Sequence, residues 1–303
     1  MKILVTGGAG FIGSHIVEHF DGEKDTEIIV LDNLCTGNIH NLDSFKCEFV
    51  EGSVEDAELV EKCCEGVDYV FHMAAMVSVP ESMDNPIKCV STNINGTLNV
   101  LKAAADHKVK KVIFSSSCSV YGDPDVSPTP ESTPTDPMSP YALSKLDGEY
   151  YMRMLSDVWG IECGVMRYFN VYGPRQNPKS QYAAAIPIFV SLALSGKDIQ
   201  IYGDGTQSRD FVFVKDVVRA NIHMMTHGPG PFNIGTGESI TIQELAETIV
   251  RETGSSSNII NVAARAGEVL HSCADTSKIN ADGFKTQTIL KDGLKATIDF
   301  FRQ

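Results

Sequence analysis

Short apolar segments alternate with longer segments of helical periodicity through the first half of the chain. The apolar segments are Lys2–Thr6, Glu27–Leu31, Cys47–Val50, Tyr69–His72, Val112–Ser116 and Cys163–Arg167. The helical segments between them begin near Phe11, Glu55, Pro86 and Tyr141. Each connection is long enough for a right-handed crossover, so the pattern predicts an α/β fold with a doubly wound parallel sheet covered by helices on both faces.

The pattern changes after about residue 170, where clusters of Gly, Pro and Asn such as residues 171–178 and 228–231 interrupt the chain. Shorter helical patterns follow at Ala184–Ser195, Lys215–Thr226, Ile242–Thr253 and Leu290–Phe301. We predict a sheet domain at residues 1–170 and a smaller C-terminal substrate domain that takes most of residues 171–303. The segment Phe211–Met225 is a candidate to return to the sheet domain.

Composition and charge narrow the possible ligands. The 303 residues are 43% hydrophobic and carry a formal net charge of −14, which is enough apolar content for a large core. No basic run could follow a phosphate backbone, so nucleic-acid binding is not expected. Any anionic ligand must therefore meet local arginines.

Cysteine usage and the N-terminus indicate a cytoplasmic protein. The eight cysteines show no CxxC pair and no accompanying histidine spacing of a zinc site, so we predict reduced cysteines and no metal site. The chain enters an apolar strand and a glycine turn at once, which leaves no room for a cleavable signal. Apolar stretches stay well below the ~18 residues that a membrane span needs, so no membrane association is expected.

A glycine-rich turn between the first strand and the first helix indicates a dinucleotide site. Glycines 7, 10 and 13 lie where backbone must pass close to a pyrophosphate, and the helix N-terminus offers amide donors to the phosphates. This is the arrangement of a Rossmann-type domain. The alternative is a tight strand-to-helix turn that binds nothing.

Asp32 strengthens the dinucleotide interpretation, because it ends the second strand nineteen residues after Gly13. A carboxylate there can accept hydrogen bonds from both adenosine ribose hydroxyls and would repel a 2′-phosphate, which favours NAD over NADP. No arginine follows in Asp32-Asn33-Leu34-Cys35 to reverse this preference. The alternative role is an ordinary helix or turn cap.

Tyr141 and Lys145 form the candidate catalytic pair. Their spacing places both on one helix face, and Ser139-Pro140 is a plausible start for that helix. Hydride removal from an alcohol needs a base for the hydroxyl proton, and a tyrosine with a reference pKa of ~10 must shift by roughly three units to serve near neutrality. We assign Lys145 as the group that lowers this pKa and binds a ribose hydroxyl. The alternative is an exposed helix face without chemistry.

A serine run at the end of a central strand supplies the third member. We choose Ser117 to hydrogen-bond the reacting oxygen, because the carboxyl edge of a parallel sheet is where ligands bind. For Ser115 and Ser119 we prefer a role in satisfying loop amides.

With these motifs in order, the chain resembles an extended short-chain dehydrogenase/reductase, and within that group the UDP-glucose 4-epimerase (NAD-dependent epimerase/dehydratase) family. The similarity runs almost end to end. It includes His72-Met73-Ala74-Ala75, Asn93-Ile94-Asn95-Gly96-Thr97, Arg167-Tyr168-Phe169-Asn170, Gly203-Asp204-Gly205-Thr206-Gln207-Ser208-Arg209-Asp210-Phe211 and Arg265-Ala266-Gly267-Glu268-Val269.

The resemblance implies a mechanism in which Tyr141 takes the 4″-hydroxyl proton of a UDP-hexose while NAD accepts the C4 hydride, which returns to the other face of the turned 4-keto sugar. The implied catalytic residues are Tyr141, Lys145 and Ser117. The implied NAD contacts are Gly7, Gly10, Phe11, Ile12, Gly13, Asp32, Asn33, Ser53, Val54, Ala74, Ala75, Asn93, Ser115, Tyr141 and Lys145. The implied substrate contacts are Ser117, Tyr141, Asn170, Arg209, Arg265, Glu268 and Ser272.

Departures from the family pattern refine the expected activity. Ser53-Val54 stands where relatives usually carry an Asp-Ile or Asp-Val pair at adenine, so adenine recognition is expected to be weaker or shifted. Cys118-Ser119 stands where dehydratase and decarboxylase relatives need acidic residues, which favours simple epimerisation. Ser272 resembles a position where a bulky residue excludes 2-acetamido sugars, so serine implies that UDP-GlcNAc and UDP-GalNAc are also accepted.

Two alternative functions stay open. UDP-glucuronate 4-epimerase would share the catalytic triad, although Asn170 suits it less well. A non-catalytic NAD-sensing protein is a second possibility, but such proteins tend to lose the tyrosine or the lysine.

Helices near residues 86–106 and 141–158 carry apolar positions on more than one face, which predicts a homodimer unless both stripes meet the core of their own domain.

Overall fold

The computed structural model of the protein describes residues 1–178, 184–264 and 269–302. The strands of this part of the chain are β1 (Lys2–Thr6), β2 (Glu27–Asp32), β3 (Glu48–Glu51), β4 (Tyr69–His72), β5 (Lys111–Ser117), β6 (Glu162–Tyr168), β7 (Asn170–Tyr172), β8 (Ile199–Tyr202), β9 (Ser208–Arg209), β10 (Phe211–Phe213), β11 (Phe232–Ile234), β12 (Ile240–Thr241), β13 (Ile259–Val262) and β14 (His271–Ser272). The α-helices are α1 (Phe11–Asp21), α2 (Ala57–Cys64), α3 (Val79–Asp84), α4 (Pro86–Val90), α5 (Gly96–Asp106), α6 (Pro140–Trp159), α7 (Ala185–Leu194), α8 (Val214–His223), α9 (Ile242–Thr253), α10 (Ser277–Ala281) and α11 (Leu290–Phe301).

Seven strands form one sheet in the order β11-β6-β5-β4-β1-β2-β3. Strand β1 pairs in parallel with β2 and β4, which sets Thr6 opposite both Leu31 and His72. The pairs β2/β3 and β4/β5 are parallel as well. This arrangement confirms the predicted doubly wound, Rossmann-type sheet. Because the carboxyl ends of parallel strands meet at one edge, the residues that end β1, β2, β4 and β5 gather there.

The six predicted strands coincide with β1 to β6, and each end differs by no more than one residue. The sequence predicts these strands well because strands covered by helices on both faces must be apolar almost throughout. Ile3, Leu4 and Val5 of β1, for example, have no exposed surface. The helical pattern near residues 86–106 is less regular than predicted, since a π-helical segment, Ser91–Asn95, joins α4 to α5.

The chain divides into two compact units. The first unit comprises Met1–Gly122, Thr135–Arg167 and Val218–Phe232, and the second comprises Asp123–Pro134, Tyr168–Val217 and Asn233–Gln303. Within the second unit, β7 pairs with β10, β9 lies between β12 and β14, and β8 pairs with β13. Of the helices that the structure describes, none has the length and apolarity to cross a bilayer.

Candidate active site

The glycine turn of the first unit is built for close backbone approach. Gly7 has a φ of +68°, and a Cβ atom there would lie 2.8 Å from the amide nitrogen of Ala74. A Cβ atom on Gly13 would lie 2.2 Å from the carbonyl oxygen of Gly7. Helix α1 begins at Phe11 with Gly10 as its N-cap, and the amides of a first helical turn have no acceptor inside the helix. The turn therefore presents the amide donors that a pyrophosphate requires.

Asp32 lies beside this turn at the end of β2. Its carboxylate accepts hydrogen bonds from the amides of Ala9, at 3.0 Å, and Leu34, at 2.8 Å. Burial raises the pKa of Asp32, and these amide bonds oppose that rise. The amide of Gly10 also donates to this carboxylate. Because a carboxylate has about four lone-pair positions, three amide bonds leave capacity for a ribose hydroxyl. Asp32 thus caps the local backbone and stays available for the predicted ribose contact.

The remaining predicted cofactor residues follow the neighbouring strands. Asn33 accepts a hydrogen bond from the amide of Cys35 at 3.1 Å. After β3, the Ser53 hydroxyl accepts a hydrogen bond from the amide of Glu55 at 3.2 Å, and Val54 is buried. Ala74 and Ala75 come directly after β4, and both are half-buried. Their cofactor contacts stay predictions.

The candidate catalytic helix starts where the sequence predicts. The Ser139 hydroxyl accepts a hydrogen bond from the amide of Ala142 at 3.1 Å and so caps α6. Tyr141 and Lys145 lie one turn apart, with Lys145 Nζ 5.9 Å from the centroid of the Tyr141 ring. The ammonium group donates to the carbonyl oxygen of Ser115 at 2.8 Å. Lys145 is therefore fixed between the helix and the end of β5.

Ser117 completes the predicted catalytic group, because its hydroxyl hydrogen-bonds the Tyr141 side chain. It also accepts hydrogen bonds from the amide and the hydroxyl of Ser119, at 3.2 and 2.9 Å. Burial raises the pKa of Tyr141 to about 12, although the Ser117 hydrogen bond opposes the rise. Burial also lowers the pKa of Lys145 to about 8. Removal from water thus favours the neutral form of each group, so a phenolate needs positive charge close to it.

Asn93 lies in the π-helical segment and holds the catalytic helix. Its amide nitrogen donates to the Met76 carbonyl oxygen at 3.0 Å and to the Ser144 hydroxyl at 2.9 Å, and its oxygen accepts from the Met76 amide at 2.7 Å. Ser144 in turn donates to the Tyr141 carbonyl oxygen at 2.7 Å. The side chain of Asn93 is thereby engaged with protein groups that position Tyr141. The predicted contribution of Asn93 to cofactor binding would therefore be indirect, through the position of Tyr141.

His72 forms a buried link that its place in the motif His72-Met73-Ala74-Ala75 does not reveal. Its Nδ1 lies 2.7 Å from the Thr6 hydroxyl, and its Nε2 lies 3.0 Å from the Thr97 hydroxyl. Thr97 donates to the Asn93 carbonyl oxygen, so its oxygen must accept from Nε2–H. Thr6 then donates to Nδ1 and accepts from the amide of Ala74. Burial lowers the pKa of His72 to about 3, which agrees with this neutral, directed chain. A histidine at the end of an apolar strand was the available signal.

Three predicted substrate residues lie together in the second unit. Asn170 and Phe211 are partners in the parallel pair β7/β10, and Arg209 and Ser272 are partners in β9/β14. The Asn170 amide nitrogen donates to the carbonyl oxygen of Asp210 at 3.0 Å. Arg209 donates to the carbonyl oxygens of Ser208 and Leu270. Two further predicted substrate residues, Arg265 and Glu268, lie outside the described residues.

Asp210 connects this group through hydrogen bonds, and its sequence context gives no sign of that role. Asp210 has no exposed surface. It accepts hydrogen bonds from the amides of Thr236, Gly237 and Ala274 and from the Thr236 hydroxyl, at 2.7 to 3.1 Å. Its own amide donates to the Ser272 carbonyl oxygen at 2.7 Å. The main chain of Asp210 thus bonds Asn170 and Ser272, while its buried carboxylate holds the backbone at residues 236, 237 and 274.

Known proteins agree with this architecture. The NAD dependent epimerase/dehydratase family matches residues 3–235. UDP-glucose 4-epimerase from Thermotoga maritima, solved with UDP-glucose, is 40% identical with a TM-score of 0.95, covering 100% of this chain and 99% of that one. UDP-N-acetylglucosamine 4-epimerase from Methanobrevibacter ruminantium, solved with UDP-N-acetylmuramic acid, is 38% identical with a TM-score of 0.95, covering 99% and 98%. UDP-glucose 4-epimerase from Thermus thermophilus, solved with NAD, is 34% identical with a TM-score of 0.92, covering 100% and 99%. The chain therefore belongs to the NAD-dependent epimerase/dehydratase family.

Proposed function

We propose that the protein is a UDP-glucose 4-epimerase that interconverts UDP-glucose and UDP-galactose through a 4-keto intermediate and also accepts UDP-GlcNAc and UDP-GalNAc. One observation carries this proposal: the Tyr141 side chain bonds the Ser117 hydroxyl, while Lys145, one turn later, is tied to the Ser115 carbonyl oxygen. These residues share a unit with the glycine turn and Asp32. A base, a hydroxyl donor and a cation thus accompany a dinucleotide turn.

In the proposed reaction, Tyr141 takes the proton of the sugar 4-hydroxyl and returns it when the 4-keto group is reduced. Ser117 donates to the reacting oxygen, and Lys145 favours the phenolate by its charge. The glycine turn and α1 hold the pyrophosphate of the cofactor, and Asp32 holds the adenosine ribose. Bound NAD supplies a hydride acceptor and donor, and its positive ring adds to the charge that favours phenolate.

The nucleotide of the substrate is assigned to the second unit. Arg209 and Arg265 can pair with a dianionic pyrophosphate through charge-assisted hydrogen bonds. Asn170 is assigned to the diphosphate, and Glu268 to the uridine ribose. A 4-keto sugar that must turn over needs firm binding of its nucleotide and loose binding of its hexose, so binding energy is best placed on the UDP part.

The test is incubation of the purified protein with UDP-glucose, UDP-galactose and their acetamido counterparts without added NAD, followed by product analysis. Conversion in both directions is expected. It needs no added NAD because bound cofactor is regenerated in each cycle. Tyr141→Phe should lose about 10²- to 10⁴-fold in kcat, the range for a general base. Tyr151→Phe, on the same helix, is the matched control and should keep its rate. An unchanged rate for Tyr141→Phe would refute the assignment.

Position 272 tests the proposed substrate range. Ser272→Tyr would fill the space assigned to the acetamido group, so it should abolish turnover of UDP-GlcNAc and retain that of UDP-glucose. Ser272→Ala keeps the space and should retain both activities. A wild-type enzyme that converts the plain hexoses but is inert toward acetamido sugars would refute this part of the proposal.

Two other functions are separated by the same assay when UDP-glucuronate is added as a further substrate. UDP-glucuronate 4-epimerase predicts faster turnover of UDP-glucuronate than of UDP-glucose, so the two rates are compared directly. A non-catalytic NAD-sensing protein predicts NAD binding without turnover of any of these sugar nucleotides. The intact Tyr141, Lys145 and Ser117 group favours catalysis.

We also propose a homodimer formed through α4 and α6. Exposed apolar side chains follow one stripe of α6, at Leu143, Tyr150, Met154 and Val158, and Ile87 of α4 is 85% exposed. Helices α4 and α6 pack against each other within the first unit, so we assign their exposed apolar side chains to one surface. A large apolar surface favours a partner, and a second copy brings the same surface in a two-fold arrangement.

The dimer is tested by sedimentation at micromolar concentration. Val158→Lys should shift the protein to monomers, whereas Val126→Lys, an exposed valine in the second unit, should leave the dimer intact. A monomeric wild-type protein would refute the proposal. A cytoplasmic location and a role in galactose metabolism follow from the proposed activity and are proposals with it.

A further inference from the structure

A buried ion pair joins the catalytic helix to the neighbouring strand β6. Arg167 donates from Nε to Glu149 at 2.8 Å and from Nη2 to the other carboxylate oxygen at 2.6 Å. The two side chains are 6% and 9% exposed. Two parallel bonds of this kind fix both distance and orientation. None of the roles assigned above to the reaction uses either residue.

Other groups hold both members of this pair in place. The Ser116 hydroxyl donates to Glu149, and the guanidinium carbon of Arg167 lies 4.8 Å from the centroid of the Tyr121 ring. Ser116 and Tyr121 lie on either side of Ser117 in the chain. The pair is therefore anchored to the same strand end that carries the candidate hydroxyl donor.

Glu149 lies one helical turn after Lys145 on α6. The two residues are four apart on α6, and a lysine and a glutamate at this spacing ordinarily attract each other. Lys145 instead donates to the Ser115 carbonyl oxygen, and Glu149 receives Arg167. A Glu149 carboxylate that lost Arg167 would be a buried, uncompensated charge, which favours pairing with the ammonium of Lys145 one turn earlier on the same helix.

We propose that Arg167 is a positioning residue that occupies Glu149 and thereby leaves Lys145 at Ser115, where its charge acts on Tyr141. This inference rests on the proposed epimerase function. Loss of Arg167 would release Glu149, which would draw Lys145 away from Ser115. Removing the glutamate charge as well would remove the competitor and return Lys145 to its place.

The test compares wild type, Arg167→Met and the double variant Glu149→Gln/Arg167→Met in UDP-galactose turnover. Rates are expressed per folded molecule, determined by near-UV circular dichroism and NAD content. Arg167→Met should lose at least tenfold in kcat with little change in KM, and the double variant should recover most of that loss. Lys111→Met, which removes another buried charge from β5, is the control for a purely structural effect and should keep its kcat.

The outcomes separate this inference from the proposed function. An active wild type whose double variant is no faster than Arg167→Met would overturn the inference alone, as would a loss in Arg167→Met that matches its unfolded fraction. A wild type that converts no sugar nucleotide would overturn the proposed function and the inference together. If Arg167→Met does not fold, Arg167→Lys replaces it in the test. This variant keeps the positive charge but cannot make the two parallel hydrogen bonds to Glu149. It should lose less kcat, and adding Glu149→Gln should again restore it.

Discussion

Replacing Lys145 with methionine tests how far one ammonium makes Tyr141 a base. The two side chains have similar length, so the substitution chiefly removes charge. With Nζ 5.9 Å from the Tyr141 ring centroid, the charge favours phenolate by about 3 kcal/mol at an effective dielectric constant of ~20. This corresponds to roughly 2 pKa units. Burial raises the pKa of Tyr141, and without the ammonium that pKa stays roughly two units higher. The variant should therefore lose about 100-fold in kcat at pH 7.

The pH dependence gives this prediction a second, independent check. The pKa of Lys145 is about 8, so its charge is present below that pH and is lost as the pH rises through it. The ratio of wild-type to Lys145→Met rates should therefore be largest near pH 7 and should shrink above pH 8. The assay is kcat for UDP-galactose between pH 6 and 10, with Lys145→Arg as the variant that keeps the charge. An acid limb in Lys145→Met that coincides with that of the wild type would contradict the reasoning.

Three further predictions concern Ser117, Asp210 and His72. Ser117→Ala should lose about 10- to 100-fold in kcat, the effect of one hydrogen bond to a charged group, with KM nearly unchanged in steady-state assays. Asp210→Asn places an amide group against three backbone amides, so KM for UDP-glucose should rise about tenfold or more while kcat changes less; equal effects on both constants would refute the view that Asp210 supports the substrate-binding residues. His72 has a folded-state pKa of about 3, below its unfolded value of ~6.5, so its stabilisation is complete above pH 6.5 and is lost as pH falls toward 3. Urea unfolding should therefore lose about 1 kcal/mol between pH 7.5 and 5.5 in the wild type and less in His72→Asn, whereas equal losses would exclude His72 as the cause.

The larger sheet could be predicted because its strands are buried on both faces. Strands such as β1 and β4 each contain three consecutive apolar residues, Ile3–Val5 and Tyr69–Phe71, and they are bounded by a glycine turn or by polar residues. The short strands of the second unit give no such signal. Strands β9, β12 and β14 have two residues each, and their pairing depends on partners distant in sequence, such as Arg209 and Ser272.

Some residues of the candidate site could likewise be predicted from the sequence, and others could not. Tyr141 and Lys145 could be predicted because a helix converts sequence spacing directly into proximity, and Ser139-Pro140 marks the helix start. Glycines 7 and 13 could be predicted because a close backbone approach admits no other residue. In each case, the chemistry is local in the chain.

Asp210, His72 and Arg167 could not be assigned from sequence, for a common physical reason. Each is a buried polar residue whose partners come from distant elements, such as the 64-residue separation between Asp210 and Ala274. A polar residue in an apolar context signals only that some partner must exist, since an unpaired buried polar group costs about 1 to 3 kcal/mol. Which partner satisfies it depends on the fold. The sequence therefore points more directly to the groups assigned to the substrate than to the buried groups that hold them in position.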